Sequence, residues 1–221
     1  MSLKKVLLCV FVLSATLTKA QQSDQQLGAW YMYNGSHKIA DKIAIITMAH
    51  YRYYEVLGEF QQEIYRLGIN YTINPKINFT VGYSYVNTNT EFKVYSNNLE
   101  EHRLYEDLNL KGKLNNIKLR HRLRFEHRFF NSTSSHWFRY DLNANYPITK
   151  SWSVYAFNEL FLNIDKSKRF VQNWTGAGFL HQINQQLKLK LGYFYQKLPD
   201  EGFHRLQFGI ILNTNHLKNK K

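Results

Sequence analysis

The 221-residue chain has one cysteine and three prolines, and no long hydrophobic run follows its first twenty residues. Cys9 lies inside the apolar N-terminal segment, so a chain processed after that segment can form neither a disulfide nor a thiolate metal site. No later stretch approaches the roughly eighteen continuous apolar residues that a membrane-spanning helix requires. These absences exclude a disulfide-bonded scaffold and a helical membrane protein.

Recognisable catalytic and metal-binding patterns are also missing. None of the nine histidines is followed by x-Ser, the spacing that places a base and a hydroxyl side by side on a strand, and no two histidines stand at i and i+2. Ser134-Ser135-His136 comes nearest, but we predict that it lies in a polar loop. We therefore expect no enzyme, no cofactor and no metal.

The first twenty residues have the pattern of a secretory signal peptide. Lys4 and Lys5 give a charged start, Val6–Leu13 an apolar centre, and Ala20 ends a plausible cleavage site. The apolar stretch is too short to span a membrane as a helix. We predict export, with cleavage near Ala20.

Acidic residues are scarce, because 16 Asp and Glu stand against 29 Lys and Arg, for a formal net charge of +13. Such a balance attracts anionic partners in general. The cations lie within predicted strands of an exported chain rather than in a basic arm. We therefore expect lipopolysaccharide or small anionic solutes as partners, and no nucleic acid.

The most informative segment that is present is Ile117–Phe130, IKLRHRLRFEHRFF. Successive side chains of a strand point to opposite faces, so one face of this segment is largely apolar and the other carries Lys118, Arg120, Arg122, Arg124 and Arg128. A strand of this kind is typical of a wall between lipid and a polar interior.

Similar alternation recurs from Leu27 to Asn213 without a linker. Most of the segments have about ten to fourteen residues, enough to cross a bilayer as tilted strands. Bacterial single-chain barrels have even strand numbers, so ten or twelve strands are expected from the eleven segments, with twelve favoured. The predicted strands are Glu63–Ile73, Ile77–Asn87, Arg103–Gly112, Ile117–Phe130, Trp137–Tyr146, Leu187–Gln196 and His204–Asn213, with less regular ones at Leu27–Asn34, Ile43–Glu55, Trp152–Leu162 and Val171–Gln182.

Short and long connections alternate between these segments, which is the arrangement of outer-membrane barrels with the short turns on the periplasmic side. We predict an all-β, transmembrane, antiparallel up-and-down barrel of about 10–12 strands in the outer membrane of a Gram-negative bacterium. Its parts are a signal peptide over 1–20, an N-terminal segment over 21–26, the barrel over 27–213 and a basic tail over 214–221. A soluble, lipocalin-like periplasmic barrel has the same alternation with its faces reversed, and it remains the alternative fold.

Energetics decide which face the cations take in the membrane barrel. A lipid-facing Arg or Lys near the midplane costs about 2–4 kcal/mol, so a strand with five cations must turn them inward. Residues at the corresponding inward positions of the other strands form a basic band with four acidic partners. The predicted lumen residues are Arg52, Arg66, Arg103, Lys118, Arg120, Arg122, Arg124, Arg128, Arg139 and Arg205, with the acids Asp107, Glu126, Asp141 and Glu159.

Two interpretations of this band stay open. It is a salt-bridge network that fills a narrow barrel, or a passage or binding site for small anionic solutes, since arginine suits phosphate and carboxylate groups. A structural membrane protein fits the first interpretation. A lipid-modifying enzyme of the lipase or deacylase type is the runner-up, and it requires a hydroxyl within reach of a histidine at the outer rim.

Several short motifs resemble a known family. They are Leu27-Gly28-Ala29-Trp30-Tyr31, Asp41-Lys42 at the start of a strand, Glu101-His102-Arg103-Leu104-Tyr105, the His121–Arg128 run and Leu191-Gly192-Tyr193. The order resembles the small Bacteroidetes-type outer-membrane β-barrels classed as a domain of unknown function. The resemblance implies an outer-membrane barrel inserted by the barrel assembly machinery, and it implies no catalytic residue or substrate.

Overall fold

The computed structural model describes residues 27–90 and 98–217. The predicted signal peptide, the N-terminal segment over 21–26 and the last four residues of the predicted tail lie outside these residues. Within these residues the chain forms eleven strands and no helix. The described part of the chain therefore contains no helix long and apolar enough to cross a membrane. The strands are β1 Gly28–Lys38, β2 Ile43–Tyr53, β3 Phe60–Asn74, β4 Ile77–Asn89, β5 Asn98–Leu114, β6 Ile117–Phe129, β7 Ser134–Pro147, β8 Trp152–Asn163, β9 Phe170–Gln182, β10 Leu187–Lys197 and β11 Gly202–Asn215.

The strands close into one barrel in chain order, with ten antiparallel pairs and one parallel pair between β1 and β11. Gly28 pairs with Arg205, and the register continues to Lys38 and Asn215. An odd number of sequential strands forces this parallel closure, because the first and last strands then run the same way. Each predicted segment became one strand. The expectation of an even number, and the preference for twelve, are therefore wrong.

The two ends of the barrel differ in their connections. At one end the strands are joined over residues 54–59, 90–97, 130–133, 164–169 and 198–201, and we call this the long-loop end. At the other, the short-turn end, the connections are residues 39–42, 75–76, 115–116, 148–151 and 183–186. The predicted loop at Ser134–His136 is wrong, because β7 begins at Ser134 and pairs it with Phe129.

Side chains at the short turns satisfy the backbone locally, which explains why these turns stay tight. The Asn74 side-chain oxygen accepts hydrogen bonds from the Lys76 and Ile77 amides at 2.9 and 3.0 Å. Asn184 accepts from the amides of Gln186 and Leu187, both at 2.9 Å. Asparagine favours such Asx turns because its side chain mimics a backbone carbonyl.

The outer wall is apolar and the inner wall is largely polar. On β3 and β4 the outward side chains include Leu67, Ile69 and Val81, which are exposed on the isolated barrel, whereas Ser84 on the opposite face of β4 is fully buried. This alternation is typical of a barrel with lipid outside and a polar interior.

Two hairpins repeat the same inward packing. Gly82 on β4 and Gly192 on β10 are both inward, opposite Tyr105 and Gln207 of the next strand. A Cβ atom on Gly82 would lie 2.6 Å from the Tyr105 hydroxyl oxygen, and a Cβ on Gly192 would overlap the Tyr155 hydroxyl. Each glycine therefore makes room for a buried tyrosine in the lumen.

Candidate functional site in the lumen

One side of the lumen is filled by paired charges, centred on Glu126 of β6. This glutamate accepts hydrogen bonds from Arg128 Nη2 at 2.5 Å, Arg139 Nη1 at 2.6 Å and Arg124 Nη1 at 3.4 Å. Its side chain has no exposed surface. A buried carboxylate is tolerated at such a position because several cations replace its lost water.

Arg124 also forms the best-defined fork of the network. Its Nε and Nη2 atoms donate to the two oxygens of Asp107 at 2.5 and 2.6 Å. Two parallel bonds of this kind are stronger and more directional than a single contact. Arg124 thereby connects Asp107 on β5 to Glu126 on β6.

The other carboxylates are held in the same way. Glu159 on β8 accepts from Arg122 and Arg139, each at 2.6 Å. Asp141 accepts from Arg120 at 2.5 Å, and Glu101 accepts from the neighbouring Arg103. We call this set the ionic side of the lumen; it consists of Glu101, Arg103, Asp107, Arg120, Arg122, Arg124, Glu126, Arg128, Arg139, Asp141 and Glu159.

A second side of the lumen, formed by β1, β8, β9 and β10, is filled by aromatic rings. Trp30 contacts Trp174 and Phe194 edge to face, with ring centroids 4.8 and 4.6 Å apart. Phe161 packs on Trp174 at 4.3 Å. This aromatic side consists of Trp30, Met32, Tyr155, Phe157, Phe161, Trp174 and Phe194.

Three cations that line the middle of the lumen lie outside these ion pairs: Arg52, Arg66 and Lys190. Arg52 donates to Gln62 at 2.8 Å, and its guanidinium carbon lies 3.7 Å from the centroid of the Trp30 ring. Arg66 donates to Ser84 at 2.9 Å. Among the residues that the structure describes, none of the three cations forms an ion pair with a carboxylate.

These three cations line a cavity of about 450 Å³ at mid-height, between the ionic and aromatic sides. Several side chains around it carry buried polar atoms that have no hydrogen-bond partner in the described part of the chain. Buried polar groups of this kind normally bind water or a ligand. The atoms are Trp30 Nε1, His50 Nδ1, Arg52 Nε, Arg120 Nε and Arg122 Nε.

Two further cavities continue from it along the barrel axis. A cavity of about 910 Å³ lies at the short-turn end and shares Arg120, Asn143 and Leu180 with the central one. A smaller cavity of about 170 Å³ lies toward the long-loop end. The central and small cavities meet at a layer that contains Trp30, Arg52, Arg103, Arg139 and Trp174.

Outside the barrel wall, the clearest acid–base contact is at the long-loop end. Asp165 accepts a hydrogen bond from the His136 backbone N–H at 2.5 Å and also contacts the His136 ring at 3.1 Å. The backbone hydrogen bond lowers the pKa of Asp165. In the described ranges no group of histidine and carboxylate side chains could hold a metal ion.

Comparison with known proteins gives the chain a family. The family model described as Protein of unknown function (DUF2490) matches residues 27–207. The chain belongs to the DUF2490 family. The matched range covers the strands from β1 into β11, so the family assignment and the barrel refer to the same part of the chain.

The DUF2490 barrel is also similar to a solved structure, LpxR from Salmonella typhimurium, with a TM-score of 0.51. The two share 8% sequence identity over 88% of this chain and 92% of that chain. At this identity the likeness shows the fold alone. No curated protein matches the sequence. The predicted fold class and the resemblance to a barrel family of unknown function are confirmed; the Bacteroidetes-type origin stays a prediction.

In the DUF2490 barrel the structure places most of the predicted basic band close together. Arg103, Arg124, Arg128 and Arg139 are buried on the ionic side, and three of the four predicted acids, Asp107, Glu126 and Glu159, are among their partners. The fourth predicted acid, Asp141, pairs with Arg120. Lys118 lies apart, exposed at the short-turn mouth. Arg205 is buried on β11, 4.8 Å from the Phe203 ring centroid.

Sequence reasoning missed several lumen residues. Glu101 precedes the predicted strand Arg103–Gly112, although it lies on the same face of β5 as Arg103. Lys190 lies on the same face of β10 as the inward Gly192. The aromatic side was missed because the apolar face was assumed to be the lipid face on every strand. Trp30 and Phe194 break that rule.

Proposed function

We propose that this barrel binds small anionic solutes in its lumen, at the central cavity lined by Arg52, Arg66 and Lys190. The observation that carries the proposal is the local excess of charge: three inward cations face a cavity of about 450 Å³ without a carboxylate partner among the described residues. A phosphate or carboxylate group fits such a place, because a guanidinium presents forked donors to its oxygens.

The ion pairs on the ionic side support the interpretation of these three cations as an anion-binding site. Five buried carboxylates already neutralise their arginines within hydrogen-bond distance. A protein that only needed to fill its lumen could have paired Arg52 and Arg66 in the same way. Their charge is costly to bury alone, and an anion from solution removes that cost.

The membrane setting belongs to the same proposal. We infer that the barrel sits in the outer membrane, in contact with lipid and lipopolysaccharide, and that its short turns face the periplasm. The apolar outer wall supports this placement. The wide cavity then opens toward the periplasm, and solutes reach the central site from that side.

Binding fits the geometry better than free passage. The central cavity meets the long-loop end only through a layer of five shared side chains, Trp30, Arg52, Arg103, Arg139 and Trp174, and the cavity beyond this layer measures about 170 Å³. An open anion channel would show steady conductance in planar bilayers, with a reversal potential that follows the anion gradient. Binding without passage predicts no such conductance.

The lipid-modifying alternative requires a serine or threonine hydroxyl on a histidine at the outer rim. The histidine rings there contact other groups: His102 and His204 contact tyrosine hydroxyls, and His136 contacts Asp165. In the part of the chain that the structure describes, no serine or threonine hydroxyl is hydrogen-bonded to these rings. We therefore base the proposal on the lumen.

The test is calorimetric titration of the detergent-solubilised full chain with inorganic phosphate. The double variant Arg52→Gln/Arg66→Gln should lose binding by about tenfold or more, since each charged hydrogen bond contributes about 1.5–3 kcal/mol. Neither substitution leaves a carboxylate without a partner, so the fold should be retained.

The matched control is Lys166→Gln/Lys168→Gln, which removes the same charge from the exposed loop between β8 and β9. It should bind phosphate like the unmodified chain. Equal affinity in the two double variants would contradict the proposed site.

A further inference from the structure

One cavity of the barrel lies at the short-turn mouth and is lined by lysines. Its volume is about 910 Å³. Its lysines come from strands β5, β6 and β10 and from two of the short turns, so they surround the opening. The six are Lys76, Lys111, Lys113, Lys118, Lys150 and Lys188.

Strand phase explains why four of these lysines turn into the mouth. Lys111 and Lys113 continue the inward phase of Asp107 along β5, and Lys188 shares the phase of Lys190 on β10. Lys118 is two residues from Arg120, whose guanidinium reaches the buried Asp141. The inward face of the barrel therefore changes from paired arginines in the centre to lysines at this end.

No carboxylate lines this mouth within the described ranges. None of the six lysines forms an ion pair there either. The long-loop end differs, since Glu63, Glu100 and Asp165 lie there and accept hydrogen bonds. A concave surface that carries one sign of charge focuses its field and concentrates counterions.

We propose that this lysine vestibule is a second binding site, for a small polyanion that carries several phosphate or carboxylate groups. Its volume lies in the range of small-molecule pockets, roughly 300–1,000 Å³. Lysine suits such a ligand because its ammonium is a point charge on a flexible stem and can follow separate anionic groups. The central site differs, because two of its cations are guanidinium groups and they face a smaller space of about 450 Å³.

The inference goes beyond the proposed central site and does not rest on it. The two sites share no cation except Arg120 at their boundary. The ligand is a small molecule rather than an acidic protein segment, because a cavity of about 910 Å³ has the volume of a small-molecule pocket.

The test is titration of the detergent-solubilised full chain with sodium tripolyphosphate, followed by calorimetry at several salt concentrations. The triple variant Lys111→Gln/Lys113→Gln/Lys188→Gln should bind about tenfold more weakly and show a smaller salt dependence. The control Lys42→Gln/Lys166→Gln/Lys168→Gln removes the same charge from lysines outside the cavity and should bind like the unmodified chain.

Three results would overturn the proposal. They are equal affinity in the two triple variants, equal affinity for tripolyphosphate and orthophosphate, and tighter binding of a polyglutamate peptide than of tripolyphosphate. The Arg52→Gln/Arg66→Gln variant separates the two sites. Tripolyphosphate binding that survives in it, with phosphate binding lost, supports both sites, whereas loss of tripolyphosphate binding there contradicts a separate vestibule.

Discussion

The two sides of the lumen fill the same barrel by opposite means. On the ionic side, Glu126 and its neighbours are held by charged hydrogen bonds of 2.5–2.6 Å between fixed partners. On the aromatic side, Trp30, Trp174 and Phe194 pack through ring contacts that impose no charge balance. The stability of the ionic side depends on every charged partner being present, whereas the stability of the aromatic side depends on how well the side chains fill the volume. Arg52 and Arg66 lie between the two sides, where neither a carboxylate of the described residues nor ring packing neutralises their charge.

The largest effect is expected at the centre of the ionic side. Glu126→Gln keeps the shape but leaves Arg124, Arg128 and Arg139 close together without their shared anion. We expect the free energy of unfolding in detergent micelles to fall by about 3–5 kcal/mol, the usual cost of breaking a buried pair. The control Glu106→Gln, on an outward and partly exposed position, should change it by less than about 1 kcal/mol. Similar losses in both variants would show that the network does not govern stability.

A smaller loss of stability is expected when the charge of Arg124 is kept and only its two parallel hydrogen bonds are removed. Arg124→Lys cannot donate two parallel bonds to Asp107, so the same measurement should show a loss of about 1.5–3 kcal/mol. Arg120→Lys is the control, since Arg120 makes a single contact and its side chain is 42% exposed. If Arg124→Lys unfolds like the unmodified barrel, charge alone holds the ionic side.

The aromatic side should tolerate a conservative change that the ionic side does not. Phe194→Leu retains an apolar side chain of similar size against Trp30 and Phe157, so the loss should stay below about 1.5 kcal/mol. The comparison between the two sides fails if Phe194→Leu costs as much as Glu126→Gln.

The smallest effect is a pH dependence at the long-loop end. The His136 backbone hydrogen bond holds the pKa of Asp165 below its usual 3.8. Because the folded pKa is lowered, the contact is fully present above pH 3.8 and is lost as the pH falls through the folded pKa. Hydrogen exchange should therefore show less protection of the His136 amide in strong acid. Asp165→Asn should remove this pH dependence, and its persistence would mean that another group holds the loop.

The alternation of side chains along each strand predicted well which residues face the lumen, but it did not predict their ion-pair partners. Each of the eleven segments formed a strand, and Arg122, Arg124 and Arg128 lie inward, because lipid excludes unpaired charge. Phase does not tell which carboxylate on another strand an arginine reaches. Arg139 bonds to both Glu126 and Glu159, and this pairing follows from register and barrel closure.

Two predictions were wrong for physical reasons: that the strand number is even, and that the apolar face of every strand contacts lipid. Parity is a rule about barrels in general, and a parallel β1–β11 pair closes an odd sheet without an open edge. The less regular strands β1, β8 and β9 carry Trp30, Phe157 and Trp174 inward, so both of their faces are partly apolar and their alternation is weak. Weak alternation was thus a sign of an aromatic lumen wall.

The most direct test of the central claim is anomalous diffraction from crystals of the full chain soaked in sodium bromide or selenate. The account predicts an anomalous peak inside the lumen, within hydrogen-bond distance of Arg52 and Arg66, that disappears in the Arg52→Gln/Arg66→Gln variant. Anion peaks confined to surface lysines, with none in the central cavity, would contradict it.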